Sequence, residues 1–148
     1  NLILSARRID VLEQVKAKCK SPDWIRLIQL DLKDHDSFGV KTEEAIAAFG
    51  HIDILINNGG ISQRSLVKET ALSVDKELMD VNYFGTIGLT KSLLPHMLER
   101  GEGHFAAVTS VTGIFESPYR SGYAASKHAI HGFYDSMMAT PIWPLTGL

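Results

Sequence analysis

A short apolar run, residues 52–56, leads straight into Asn57-Asn58-Gly59-Gly60, and a polar stretch then carries the chain to Thr70. An apolar run of this kind is what a strand covered on both faces of a parallel sheet looks like. The same grammar recurs along the chain. Residues 1–6 and 25–30 are short apolar segments, each followed by apolar residues at helical spacing: Ile9, Leu12 and Val15 within 8–20, then Phe38, Ala45, Ile46 and Phe49 within 35–49. Ser21-Pro22-Asp23 ends the first of these helices and Gly50 the second. A long helix is predicted over 74–100, with Leu78, Val81, Ile87, Leu93, Leu94 and Met97 as its buried side. A strand at 104–110, a loop, and a helix from about Gly122 to 139 follow, and Pro141 and Pro144 keep the tail from being helical. Strand and helix alternate throughout, which predicts an α/β fold on a parallel sheet. The 148 residues suit one domain, and no repeat or linker divides them.

Composition removes several function classes. A net charge of −2 argues against nucleic acid or an anionic membrane as the main partner. One cysteine, Cys19, excludes an internal disulfide framework and a four-cysteine metal site. No apolar run approaches the roughly 18–20 residues of a membrane-spanning helix, so membrane association is not detectable in this sequence. Nothing in it points to a compartment.

Three residues of the last strand–loop–helix unit form a candidate chemical device. Tyr123 and Lys127 are four apart, so a helix places them on one face a turn apart. Ser110 closes the preceding strand, at the carboxyl end where α/β sheets present reactive groups. A phenol beside an ammonium is suited to exchange a proton, and the serine hydroxyl to hold the oxygen of a carbonyl or alcohol. Taken alone, a Tyr-x-x-x-Lys pair is weak evidence, and such a tyrosine is more often a half-buried helix residue. Its surroundings carry the rest. Asn57-Asn58-Gly59-Gly60 is either an Asn-Gly hairpin turn or a place where backbone approaches a ligand while the asparagines fix neighbouring strands. Asn82 lies in the middle of the long helix, where asparagine is a poor helix former. It is either turned to solvent or, beside Val81 and Phe84, a buried polar group. Gly101-x-Gly103 lacks a third glycine and precedes a strand, so it is not a dinucleotide fingerprint. His128 and His131 lack a third metal ligand and read as surface histidines.

Taken together, Asn57-Asn58-Gly59-Gly60, Asn82, Ser110 and Tyr123-Ala124-Ala125-Ser126-Lys127 resemble, in order and spacing, the short-chain dehydrogenase/reductase family. Gly60-Ile61-Ser62-Gln63-Arg64-Ser65, Val81-Asn82-Tyr83-Phe84-Gly85-Thr86 and Leu94-Pro95-His96-Met97 look most like its member 7 subgroup, and the resemblance covers about residues 1–139. It implies a Rossmann-type doubly wound parallel sheet and hydride transfer between a nicotinamide and a small-molecule carbonyl or secondary alcohol. By resemblance Tyr123 is the general acid or base, and Lys127 assists it and binds the nicotinamide ribose. Ser110 positions the substrate oxygen, and Asn82 holds a water of the proton relay. Asp31 contacts the adenine ring, while Asn57 and Gly59 flank the adenine-ribose side. An NAD enzyme places an acidic residue at the end of the first strand seen here. Ser5-Ala6-Arg7-Arg8 stands there instead, and two guanidinium groups suit a 2′-phosphate. The resemblance therefore implies NADP(H) rather than NAD(H), the alternative being that Arg7 and Arg8 are a solvated helix start.

Departures from the family frame a second expectation. The chain opens on Asn1 inside what reads as a strand, as a fragment does. The family's first strand, its glycine-rich turn and the strands after the Tyr/Lys helix are not found in the sequence, and residues 140–148 diverge as an irregular tail. That first strand sits between the strands 1–6 and 52–56, so the sheet is expected to be incomplete, with a gap or a re-pairing. A non-catalytic remnant that pairs through the helices at 74–100 and 122–139, as a homodimer or with another protein, is the alternative to an oxidoreductase.

Overall fold

Glycines set the ends of two of the helices that frame this fold. Gly50 (φ 85°) closes α2, Phe38–Phe49, by donating to Ile46 O at 2.7 Å, and Gly101 (φ 73°) closes α4, Gly85–Arg100. Both take the left-handed conformation that only glycine adopts without a steric penalty. The structure, a computed structural model, describes residues 1–115 and 117–139. Along them run β1 (Leu2–Ala6), α1 (Ile9–Ala17), β2 (Ile25–Gln29), α2, β3 (Ile54–Asn57), α3 (Leu72–Leu78), α4, β4 (His104–Ala107) and α5 (Ser121–Ala139). The predicted alternation of strand and helix is present. The tail with Pro141 and Pro144 lies outside the described residues.

The strands form two parallel pairs. β1 pairs with β2 from Leu2 opposite Ile25 to Ala6 opposite Gln29, and β3 pairs with β4 from Ile54 opposite His104 to Asn57 opposite Ala107. The pairs are not hydrogen-bonded to one another. The parallel β3–β4 pairing excludes a hairpin at residues 57–60. The expected gap is present as a cavity of about 640 Å³ lined by β1 and β3 along their lengths, with Lys41, Thr42, Ala45 and Phe49 of α2 beside it.

One expectation fails here for a physical reason. Residues 52–56 read as a strand buried on both faces, yet Ile54 is 56% and Ile56 63% exposed. An apolar run of this kind is made for a central strand, and β3 has a neighbour on one edge only.

The long helix predicted over 74–100 is also interrupted. Between α3 and α4 the turn Met79–Phe84 is π-helical and carries Asn82 at its centre. Its wider hydrogen-bond spacing admits a side chain that bonds outside the helix. Around it lies the core, where Leu78, Met97 and Ile130 are fully buried and Val81, Ile87 and Leu93 nearly so. Among the described residues no helix is long and apolar enough to cross a membrane.

Candidate active site

Asn82 is completely buried and binds the loop after β3 by both of its side-chain polar atoms. Its Oδ1 accepts from Ile61 N at 2.8 Å, and its Nδ2 donates to Ile61 O at 2.9 Å and to Ser126 Oγ at 2.9 Å. Of its two sequence readings, the buried one holds. Ser126 Oγ donates in turn to Tyr123 O at 2.7 Å. A chain of hydrogen bonds therefore joins the π-helical turn, the loop and the first turn of α5.

Lys127 is buried, and its Nζ donates to Val108 O at 2.9 Å, just past the end of β4. The ammonium lies 5.8 Å from the centroid of the Tyr123 ring, and the guanidinium of Arg120 lies 5.7 Å from it. Burial pushes the Lys127 ammonium below its ordinary range, because the charged form loses hydration. Gly60 explains how Asn82 and Lys127 come together. A Cβ built there would stand 3.0 Å from Asn82 Oδ1 and 3.7 Å from Lys127 Nζ. Only a residue without a side chain leaves that space open.

Ser110 leaves β4 in extended conformation and caps the 3₁₀ turn Val111–Gly113. Its Oγ accepts from Thr112 N at 3.2 Å and from Thr112 Oγ1 at 3.0 Å. With both lone pairs engaged, its own proton is left to donate outward. The turn packs on α5 beside Lys127, since a Cβ at Gly113 would stand 3.2 Å from Lys127 Cβ. The Tyr123 hydroxyl has no hydrogen-bond partner among the described residues.

The residues expected on the cofactor side border the cavity between the strand pairs. Arg7, Asp31, Asn57 and Gly59 all line it, and so do Asn58 and Gly60 beside them. Arg7 and Arg8 are exposed at the end of β1, where Arg7 O accepts from Gln29 Nε2 at 2.8 Å, and their guanidinium groups have no partner among the described residues. Asp31 follows β2, with its Oδ1 accepting from Lys33 N at 3.0 Å. Gly59 packs against Leu32, where a Cβ would come within 2.7 Å of Leu32 Cδ1. The Asn57 side chain turns inward and donates to Thr90 Oγ1 and Tyr134 OH, each at 2.9 Å.

Sequence reasoning missed three things. It gave Ser126 no role, although its place one residue before Lys127 puts it on the buried side of α5. It did not foresee the clamp of Thr90 and Tyr134 on Asn57, because nothing local in sequence couples positions 57, 90 and 134. It also read His131 as a surface residue, whereas its Nε2 is buried without a partner beneath Gly113.

The short chain dehydrogenase family pattern matches residues 1–140. Mouse dehydrogenase/reductase SDR family member 7 is 50% identical over 143 residues, and its human counterpart 47%, each match covering 93% of this chain and 42% of the relative. The chain thus spans less than half the length of these curated relatives. Among solved structures, a short-chain dehydrogenase from Streptomyces avermitilis superposes with a TM-score of 0.86 at 31% identity, covering 95% of this chain and 52% of that one. A gluconate 5-dehydrogenase from Burkholderia cenocepacia, in complex with NADP and tartrate, superposes with a TM-score of 0.84 at 25% identity, covering 93% and 54%. A family pattern that runs through nearly every described element leaves one conclusion: this chain belongs to the short chain dehydrogenases.

Proposed function

We propose that the whole protein is an NADP(H)-dependent oxidoreductase acting on a carbonyl or secondary alcohol of a small molecule, with Tyr123 as general acid or base. The observation that carries this reading is the convergence at Gly60, where Asn82 and Lys127 approach one point that a side chain would fill. The residues present suit the cofactor. Gly59, packed on Leu32, and Gly60 line the cavity with backbone, and Arg7 and Arg8 offer two guanidinium groups, without a partner among the described residues, for a 2′-phosphate. When bound, the cofactor supplies the hydride that no side chain carries.

The rest is the work of the chain's own groups. Ser110 donates its free proton to the substrate oxygen and fixes it. Tyr123 exchanges a proton with that oxygen through a hydroxyl that no described residue occupies. Lys127, anchored by one hydrogen to Val108 O, has two donors left for the nicotinamide ribose. Asp31 and the backbone of residues 57–59 take the adenosine side. Both amide hydrogens of Asn82 are spent, so it holds a relay water only through the second lone pair of Oδ1 or through its backbone. The test is turnover of the complete enzyme with NADPH and a panel of carbonyl compounds. Activity that survives Tyr123→Phe would overturn the assignment.

The split sheet favours a second reading, in which the 148-residue chain by itself is non-catalytic. Positioning donor and acceptor supplies several kcal/mol of a rate enhancement, and strand pairs that share no hydrogen bonds hold a cofactor poorly. Calorimetric titration of the purified chain with NADPH separates the two. Micromolar binding together with a cooperative thermal transition would end the second reading.

A further inference from the structure

We propose that Arg120 makes this site selective for carbonyl or alcohol substrates that carry a carboxylate on the same small molecule. In the reaction proposed above Tyr123 meets the reacting oxygen, and the role of Arg120 rests on that. Arg120 is the residue just before α5, and its carbonyl accepts from Ala124 N at 2.7 Å, so its backbone is fixed to the helix that carries Tyr123. Its guanidinium stands 5.7 Å from the centroid of the Tyr123 ring, and Nη1 donates to Ser62 Oγ. A half-buried charge is thus held in one place, between the ring of the tyrosine and the loop after β3.

That loop and the segment before α5 are stitched together. Ser65 N donates to Tyr119 O at 3.0 Å, and the guanidinium of Arg64 stands 5.9 Å from the centroid of the Tyr119 ring. Gln63, in the same loop, is buried, and its Nε2 donates to Ser65 Oγ at 2.9 Å. Tyr119 takes φ 64°, the left-handed region that a bulky residue enters only at a cost. Such a conformation persists where the surroundings over-determine it, and ligand clamps are among those places.

Packing alone leaves the charge of Arg120 unexplained. A guanidinium carries five N–H groups in one plane. Ser62 takes one from Nη1, and the edge formed by Nε and Nη2 has no partner among the described residues. Neither Arg120 nor Arg64 forms an ion pair with a described residue, and that includes Asp75, which packs against Gly122 in the first turn of α5. An uncharged substrate leaves this half-buried cation without an anion, whereas a carboxylate matches the free edge with two parallel charge-assisted bonds. Because Arg120 lies against the ring whose hydroxyl meets the reacting oxygen, the carboxylate and the carbonyl belong a few bonds apart.

The complete enzyme is assayed with NADPH on meta- and para-carboxybenzaldehyde and on their methyl esters, and is titrated calorimetrically with benzoate and benzamide. We expect kcat/KM to favour at least one acid over its ester by at least about tenfold, and benzoate to bind at least about tenfold more tightly than benzamide. In Arg120→Met both ratios are expected to fall to within about twofold of unity. Arg120→Lys keeps the charge and loses the fork, and is expected to stand between. A ratio cancels any general loss of folding or turnover. Ratios near unity in the parent, or ratios that Arg120→Met leaves unmoved, would overturn the proposal, while ester reduction lost in Tyr123→Phe would still uphold the oxidoreductase reading. Reduction that survives Tyr123→Phe would overturn that reading, and the role of Arg120 with it. Where the aldehydes are not turned over, the benzoate-to-benzamide ratio decides alone.

Discussion

The side-chain amide of Asn82 donates to the hydroxyl of Ser126 at 2.9 Å, joining residues 44 positions apart where neither meets solvent. Through this bond the π-helical turn and the Tyr/Lys helix become one unit. Asn82 also holds Ile61 by N–H and C=O, and Ser126 holds the Tyr123 carbonyl, so the network fixes the backbone on which Tyr123 and Lys127 stand.

Asn82→Leu strands the Ile61 N–H and C=O and leaves Ser126 Oγ without its donor. Each buried orphan costs about 1–3 kcal/mol, so we expect a loss of about 3 kcal/mol in urea unfolding. Ser126→Ala, which removes one partner and exposes few others, is expected to cost about 1 kcal/mol. A cost below about 1 kcal/mol for Asn82→Leu would show that the loop finds other partners.

Tyr123→Phe separates chemistry from structure. The hydroxyl has no partner among the described residues, so stability is expected to stay within about 0.5 kcal/mol. In the complete enzyme, turnover is expected to vanish while NADPH affinity stays close to that of the parent. Lys127→Ala is expected to damage both. Retained activity in Tyr123→Phe, measured as NADPH oxidation, would contradict the role.

The elements and the site were legible to different depths. Apolar periodicity is a local signal, and it located the strands and most helices to within a few residues. The break in the long helix was not legible: Asn82 stands out as a poor helix former, yet the apolar periodicity runs on through it and predicts one helix over 74–100. Burial of β3 was not legible. Ile54 and Ile56 have the composition of a central strand, and exposure depends on a neighbour that a local pattern cannot supply. The partners of Asn57 were equally hidden, since Thr90 and Tyr134 reach it only through tertiary folding.

Replacing Arg7 and Arg8 by alanine tests cofactor choice in the complete enzyme. Both side chains are exposed and have no partner among the described residues, so the fold is expected to tolerate the change. Loss of a charge-assisted phosphate pair is worth about 1.5–3 kcal/mol, or roughly 10- to 150-fold. The Michaelis constant for NADPH is expected to rise by that factor and that for NADH to move little. Equal changes for the two cofactors would show that these arginines do not read a phosphate.

Lys127 carries a pH signature of its own. Burial lowers its ammonium below the ordinary value of 10.5. In the window from that lowered value up to 10.5 the unfolded chain binds more protons than the folded one, so stability rises with pH. The contribution is fully present above the unfolded value and is lost as pH falls through the folded one. Lys127→Met removes the titration. Plotted from about pH 6 to the ordinary lysine value, the urea midpoint of the parent chain is therefore expected to climb relative to the variant at the alkaline end and to run parallel to it at the acidic end. Other titrating groups cancel in the difference. At neutral pH the variant no longer buries a charge, but Val108 O loses its donor, and the two effects oppose. A difference curve that is flat throughout, or that falls with rising pH, would show that burial does not control the charge of Lys127.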